Sequence, residues 1–365
     1  MAEIYEAIDR SNRIINADVT FPTAVKAEGD NIKGEALFLR GLAYFDLVRI
    51  FGQHYTFTAN ADHPGVPIVT SFDPSAKPSR NTVNEVYQQV ISDMTTSLSL
   101  LTIDPGTSGR VSANVAKALL SRVYLYMEDW VNAEKYASEV INSGDYALLD
   151  DQAFPSAFSG GESSESIFEI VMTQTDNNGS DALGGMYNST GYGDYLPSLD
   201  LYDRMSATDA RKQLFVTDNN LGALYGTIRV AKYPSSVGLN NTYVIRYAEM
   251  FLNRAEANYH IGGKETAVQN DITTLRQMRD PNAAAVTATG QALLDEVLLE
   301  RRLELCFEGH RLWDLMRYKQ GVDRTRSADC TSPVCTVAYP NDRFIMAIPV
   351  EEININLNMT QNTGY

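Results

Sequence analysis

The run FEGHRLWDL at 307–315 gathers a glutamate, a histidine, an arginine and an aspartate into one short stretch. Such groups can move protons when held within hydrogen-bond reach of a reacting atom. Periodicity argues for another role. If 298–318 is helical, Leu299, Leu303, Cys306, His310 and Trp313 step by four and three and make one apolar stripe. His310 on that stripe is expected to be a hydrogen-bonded core histidine. Glu308 with Arg311, and Asp314 with Arg317, stand at helical pair spacing, so each acid is expected to find a local partner. Gly309 is expected to bend or end the first helical segment. No serine or second cysteine near the run supplies a nucleophile beside a base. The run reads as scaffold, and no catalytic residue is assigned.

A second stretch suits binding. A sugar asks for aromatic faces against its C–H groups and for planar polar side chains that fork onto neighbouring hydroxyls. DNNGSDALGGMYNSTGYGDY at 176–195 offers Tyr187, Tyr192 and Tyr195 beside Asp176, Asn177, Asn178, Asn188 and Asp194. Gly184, Gly185, Gly191 and Gly193 let the backbone turn tightly or approach a ligand. His54 and Tyr55, after the first long helix, form a weaker candidate pair. DNNGSD is oxygen-rich but lacks the EF-hand spacing and its closing glutamate, so no metal or cofactor is expected.

These residues need elements to hold them, and helical periodicity dominates. Leu37, Gly41, Tyr44, Val48 and Phe51 form one stripe, Ala116, Leu120, Val123 and Met127 a second, and Val244, Ala248, Phe251, Ala255 and Tyr259 a third. Each is followed by another helical segment, at 82–101, 131–142 and 264–278. Small residues (Gly41, Ala118, Ala255) fall mid-helix, where they permit close approach. Such pairs resemble tetratricopeptide units, although no fixed period survives. Turn-rich sequence interrupts them at 53–80 and, more extensively, at 145–241, where SIFEIVM is strand-like. The expected organisation is one domain: a helical scaffold of 1–144 and 242–365 carrying a variable, ligand-binding insertion at 145–241.

The chain has 365 residues, 46 acidic and 30 basic, for a net charge of −16. That balance disfavours nucleic acid and anionic membrane surfaces as partners. Tyrosines number 20 against 2 tryptophans, and Trp130 and Trp313 both fall at structural positions. A glycan binder with no spare tryptophan is expected to bind weakly, at roughly −8 to −4 kcal/mol. Cys306 lies in a helical pattern. Cys330 and Cys335 flank TSPV, where a local disulfide is preferred over two free thiols and would imply an oxidising compartment. The chain opens on helical pattern with no export signal, so the protein is either cytosolic or has its signal outside this sequence.

ERRLELCFEGHRLWDLMRY also resembles the C-terminal helical signature of the SusD/RagB family. IYEAIDRSN is similar to that family's early helix through Tyr5, Ile8 and Asn12, and LRGLAYFDLVRIFG to the helix before its first loop. RYAEMFLNRAEA resembles a later helix through Arg246, Tyr247, Glu249, Arg254 and Glu256. The closing AIPVEEININLNMTQNTGY is similar through Pro349, Glu352, Asn358, Gln361, Asn362, Gly364 and Tyr365, with Leu357 and Thr363 where proline is common. The resemblance implies a mostly α-helical protein whose tetratricopeptide-like helix pairs form a right-handed scaffold with a loop-rich insertion and a few short strands. It implies a non-catalytic, surface-exposed outer-membrane lipoprotein of Bacteroidota, capturing glycans, or in some members peptides, for a SusC-like TonB-dependent transporter. The family's lipoprotein signal, lipidated cysteine and front segment are not seen here, so only part of the ligand site is expected.

Two rival readings have their own signatures. An all-helical glycoside hydrolase needs two carboxylates aimed at one cleft, and no such pair is evident. An intracellular tetratricopeptide scaffold binding a peptide suits a missing signal, but not the cysteine pair or the tyrosine- and glycine-rich insertion.

Overall fold

The computed structural model describes residues 1–219, 226–328, 330 and 334–365. Helices form where the stripes place them. They are α1 (Ala2–Ile15), α2 (Lys26–Phe51), α3 (Val83–Leu100), α4 (Ala113–Tyr126) and α5 (Trp130–Ser143), then the short α6 (Leu183–Tyr187) and α7 (Leu199–Asp203). After these come α8 (Tyr247–Ile261), α9 (Glu265–Arg279), α10 (Gly290–Glu304), α11 (Arg311–Arg317) and α12 (Val350–Ile355). Local chemistry sets several ends. Thr82 accepts from the Glu85 amide while the Glu85 carboxylate accepts from the Thr82 amide, a capping box that starts α3. Ser112 and Asp129 cap α4 and α5 more simply, their side-chain oxygens accepting from the Val115 and Asn132 amides.

Neighbouring helices pack in succession from α1 to α5, and α5 lies against α8, which in turn packs on α9 and α10. The main core joins Tyr44, Phe45 and Val48 of α2 to Val90 and Met94 of α3 and to Leu119 and Val123 of α4. A second joins Leu252 and Ala255 to Ile272, Leu275, Leu293 and Val297. Gly41 sits where a Cβ would meet the end of the Met94 side chain and press on Asp93, so the glycine lets α2 and α3 pack closely without displacing Met94. Ala118 and Ala255 are fully buried.

Strands are few and short. They are β1 (Ser166–Ile170), β2 (Phe215–Thr217), β3 (Ile228–Val230), β4 (Thr242–Arg246), β5 (Val322–Asp323) and β6 (Thr336–Val337). They pair antiparallel as β1–β4, β2–β3 and β5–β6. The fold is the mostly α-helical arrangement of pairs the sequence implies. One stripe is corrected: Val244 lies in β4, because TYVIR is β-branched and aromatic and finds a partner in β1, and α8 starts only at Tyr247.

The run at 298–318 is also not one helix. Chain direction changes after α10: Phe307 takes a φ of 64° and Gly309 a φ of 79°, and α11 starts past His310. The glycine adopts that backbone freely, whereas Phe307 holds it at a cost of about 1–2 kcal/mol.

Cys330 and Cys335 are joined as a disulfide; Thr331 to Pro333 between them lie outside the described residues. Cys306 is the free cysteine, buried, with its thiol pKa pushed up by that burial. Native protein is accordingly expected to show no reactive thiol until it is denatured. Two thiols titrating in the native state would contradict the pairing.

Candidate functional site

The tyrosine loop is built by backbone contacts. Tyr192 donates its amide to the Gly185 carbonyl at 2.8 Å, folding 187–195 back over α6. A Cβ at Gly185 would run into the Ser180 carbonyl, so the turn needs glycine there. Arg229 of β3 pins the far side, donating to the Gly193 carbonyl at 2.7 Å while ion-paired to Asp218. On this frame Tyr192 and Tyr195 are 55% and 53% exposed, an unusual investment of aromatic surface on one loop.

Tyr187 sits lower and is half-buried. Its ring stacks on Tyr233 with centroids 6.4 Å apart, meets Phe307 edge-on at 5.3 Å, and carries Tyr195 at 6.3 Å. Burial pushes its phenol up to about 12, so it remains a neutral donor at physiological pH. The Asp181 carboxylate beside Tyr192 also raises that phenol.

The predicted polar residues divide. Asn188 spends its amide on the Pro234 carbonyl and accepts from Thr190, and Asn177 bridges the Thr173 carbonyl and the Gly179 amide. Both shape the loop. Asp176, Asn178 and Asp194 are exposed. Among the described residues, no group of three or more His, Cys, Asp or Glu side chains is placed to hold a metal ion.

His54 and Tyr55 do not join this site. The His54 imidazole is hydrogen-bonded to the Tyr339 hydroxyl at 2.8 Å and borders a crevice of about 10 Å³, too small for a sugar. Tyr55 gives its hydroxyl to Asn84 at 2.9 Å and lays its ring on Tyr87. Both point inward because the chain after α2 turns back under α11, which adjacency in sequence does not reveal.

Sequence reasoning missed the floor of the site. Tyr233, Phe307 and Arg229 come from segments far from the tyrosine loop. Beneath Tyr187 and Phe307 opens a cavity of about 770 Å³, also walled by Trp313, His310, Arg311 and the 321–327 segment. Phe307 carried a signal, its place in an unusual polar run, but its direction depended on the helix break.

Comparison with known proteins now decides the family. The profile of the SusD family matches residues 218–365, and a second profile, described as starch-binding and associating with the outer membrane, matches residues 2–125. A SusD superfamily protein of Bacteroides thetaiotaomicron is 31% identical, with a TM-score of 0.84, over 99% of this chain and 84% of its own. The chain belongs to the SusD family. Another SusD-family relative, SusD-like protein P38 of Formosa agariphila, is 26% identical over 100% of this chain and 79% of its own length. A laminarin-binding SusD-like protein, 23% identical with a TM-score of 0.78, covers 100% of this chain and 85% of its own, and shares the fold. Among the described residues no helix is long and apolar enough to cross a membrane.

In this SusD-family chain the signature segments are joined by buried ion pairs. Arg246 donates to Glu308 at 2.8 Å and to Glu165 and Glu304 at 2.9 Å. Lys232 adds a 2.6 Å contact to Glu308. Asp314 does pair with Arg317 as its spacing predicts, and with Arg301 as well, whereas Glu308 pairs across the fold and not with Arg311. The break at 307–309 turns the two residues apart. Farther along, Arg122 pairs with Glu249 and Arg317 with Glu256. The SusD closing segment is equally structural: Asn362 donates to the Phe51 and Met346 carbonyls, and Arg80 to Asn362. Near the start, Asn12 and Tyr5 hold the 53–80 excursion by donating to the Val69 and Pro67 carbonyls.

His310 is buried as expected, but its Nδ1 has no hydrogen-bond partner among the described residues. Burial, with Arg122, Arg301, Arg49 and Arg246 around it, holds its pKa well below the ordinary histidine value. It is a neutral imidazole at physiological pH.

Proposed function

We propose that this SusD-family protein is a non-catalytic glycan-capture protein of the outer-membrane surface, serving a SusC-like TonB-dependent transporter and held by an N-terminal lipid. In this reading the helical scaffold of 1–144 and 242–365 presents the insertion 145–241, and the ligand lies across Tyr192 and Tyr195 with Tyr187 behind them. The observation that carries it is the pair of exposed tyrosine rings on a glycine-turned loop above a large cavity, in a family whose profile is described as starch-binding. The oxidising compartment suggested by the disulfide is consistent with a surface location. Asp176, Asn178 and Asp194 are free to meet sugar hydroxyls, while Asn177 and Asn188 keep the loop in shape.

The test is Tyr192→Ala. The ring is exposed and its loss leaves no core cavity, so the fold should be unaffected. Glycan affinity is expected to fall by about 1–3 kcal/mol, the scale of a large side chain's apolar contact. Unchanged affinity would move the site away from this loop.

A further inference from the structure

The cavity beneath Tyr187 is electrostatically unlike the rest of the molecule. The chain as a whole carries −16. Among the described residues the cavity wall carries five arginines (Arg301, Arg302, Arg311, Arg324 and Arg326) against three aspartates, with no lysine or glutamate. The aspartates are already engaged: Asp200 with Arg302, Asp314 with Arg301 and Arg317, and Asp323 with the Thr325 amide and hydroxyl. Arg326 is paired with Asp203 outside the wall.

Arg311 is different. Its side chain makes no hydrogen bond or ion pair among the described residues although the residue is exposed, and partial desolvation with the neighbouring Arg302 charge lowers its pKa. On the same wall, Arg301 Nη2 and His310 Nδ1 are buried with no hydrogen-bond partner among the described residues. Buried N–H donors lacking an acceptor are costly, and natural structures seldom leave several together. The unpartnered Arg301 N–H and the Arg311 guanidinium both favour an oxygen-rich anion at this cavity.

We propose that this cavity is an acid-recognition subsite, in which Arg311 receives a carboxylate or sulfate group carried by the captured glycan. The inference rests on the glycan-capture reading and deepens it to acidic glycans. Tyr187 and Phe307 bound both the aromatic loop's floor and the cavity, so one sugar chain can meet the tyrosines while an acidic substituent reaches Arg311. A guanidinium offers a planar fork to either anion. Arg301, held by Asp314, acts through the potential it sets and is a positioning residue.

The experiment compares binding of three oligosaccharide pools, from neutral glucans, from polyuronates and from sulfated galactans. It is run on the wild type, Arg311→Gln and Arg311→Lys, with circular dichroism confirming folding. One acidic pool is expected to bind the wild type about tenfold or more tighter than the neutral pool, the scale of one charge-assisted contact. Arg311→Gln should erase that preference without weakening neutral binding, and Arg311→Lys should keep part of it. Raising the salt should shrink the preference, as screening requires. The preferred pool tells carboxylate from sulfate. Equal affinity for neutral and acidic pools, or a preference that survives Arg311→Gln, would overturn the acid subsite and leave capture standing. If no pool binds any variant, the capture reading fails and this subsite with it.

Discussion

Arg246→Ala is expected to destabilise the protein by about 3–5 kcal/mol, the usual cost of removing one partner from a buried ion pair. Arg246 is 2% exposed and faces the carboxylates of Glu165, Glu304 and Glu308. Taking it away leaves those carboxylates to Arg279 and Lys232, which already hold them from other sides. A buried carboxylate without sufficient compensation pays most of its desolvation energy. Arg246→Lys should recover part of the loss, since it keeps the charge but cannot fork onto two acids at once. Arg10→Ala is the natural control. Its partner Glu6 is exposed on the same helix, and such pairs contribute under about 1 kcal/mol. Urea unfolding distinguishes these cases. A change below about 1 kcal/mol for Arg246→Ala would mean that the network contributes geometry but little net stability.

Stability should also fall on mild acidification. All four histidines have pKa values below the ordinary one, with burial as the largest cause. The sign follows directly. Between a lowered folded pKa and the unfolded value near 6.5, the unfolded chain binds a proton the native chain refuses, so stability drops as pH falls. His54, lowered to about 4, accounts for about 1.5 kcal/mol between pH 6.5 and pH 5. His310 adds to this in the same direction, and the half-exposed His260 less, because solvent screens it. Below the ordinary carboxylate range the depressed Glu256, Glu304, Glu308 and Asp314 extend the loss, whereas Asp93 and Asp271, raised by burial, oppose it only just above that range. Urea midpoints measured from pH 7 to pH 5 should decline steadily, and His310→Gln should flatten the slope. A flat profile over that range would show that the histidines titrate normally.

The scaffold was legible because its signals are local. Apolar residues spaced at three and four, a threonine and glutamate at capping distance, and small residues at helix crossings each act within one or two turns. Within the polar run at 307–315, Glu308 and Asp314 are held in buried ion pairs, as a scaffold role expects, but Glu308 is held by other partners than its spacing suggests. Helical spacing paired Glu308 with Arg311, yet the left-handed backbone at Phe307 and Gly309 sends Glu308 toward Arg246 and Lys232, which are distant in sequence. The same break frees Arg311 to face the cavity. The tyrosine loop was visible as composition, and its two exposed rings are where such a loop would present them. Its floor was not. Tyr233 and Phe307 meet Tyr187 only through tertiary packing, and no periodicity marks such an encounter. His54 and Tyr55 drew notice for their chemistry, but the turn after α2 commits them to Tyr339, Asn84 and Tyr87.

Capture without turnover is tested most directly by titrating oligosaccharide pools into the protein calorimetrically and recovering the sugars afterwards. Heat that saturates at a fixed stoichiometry, with every oligosaccharide returned at its original length, is the predicted result. Heat that continues after each injection, with shortened products in the recovered pool, would contradict it and make the protein an enzyme.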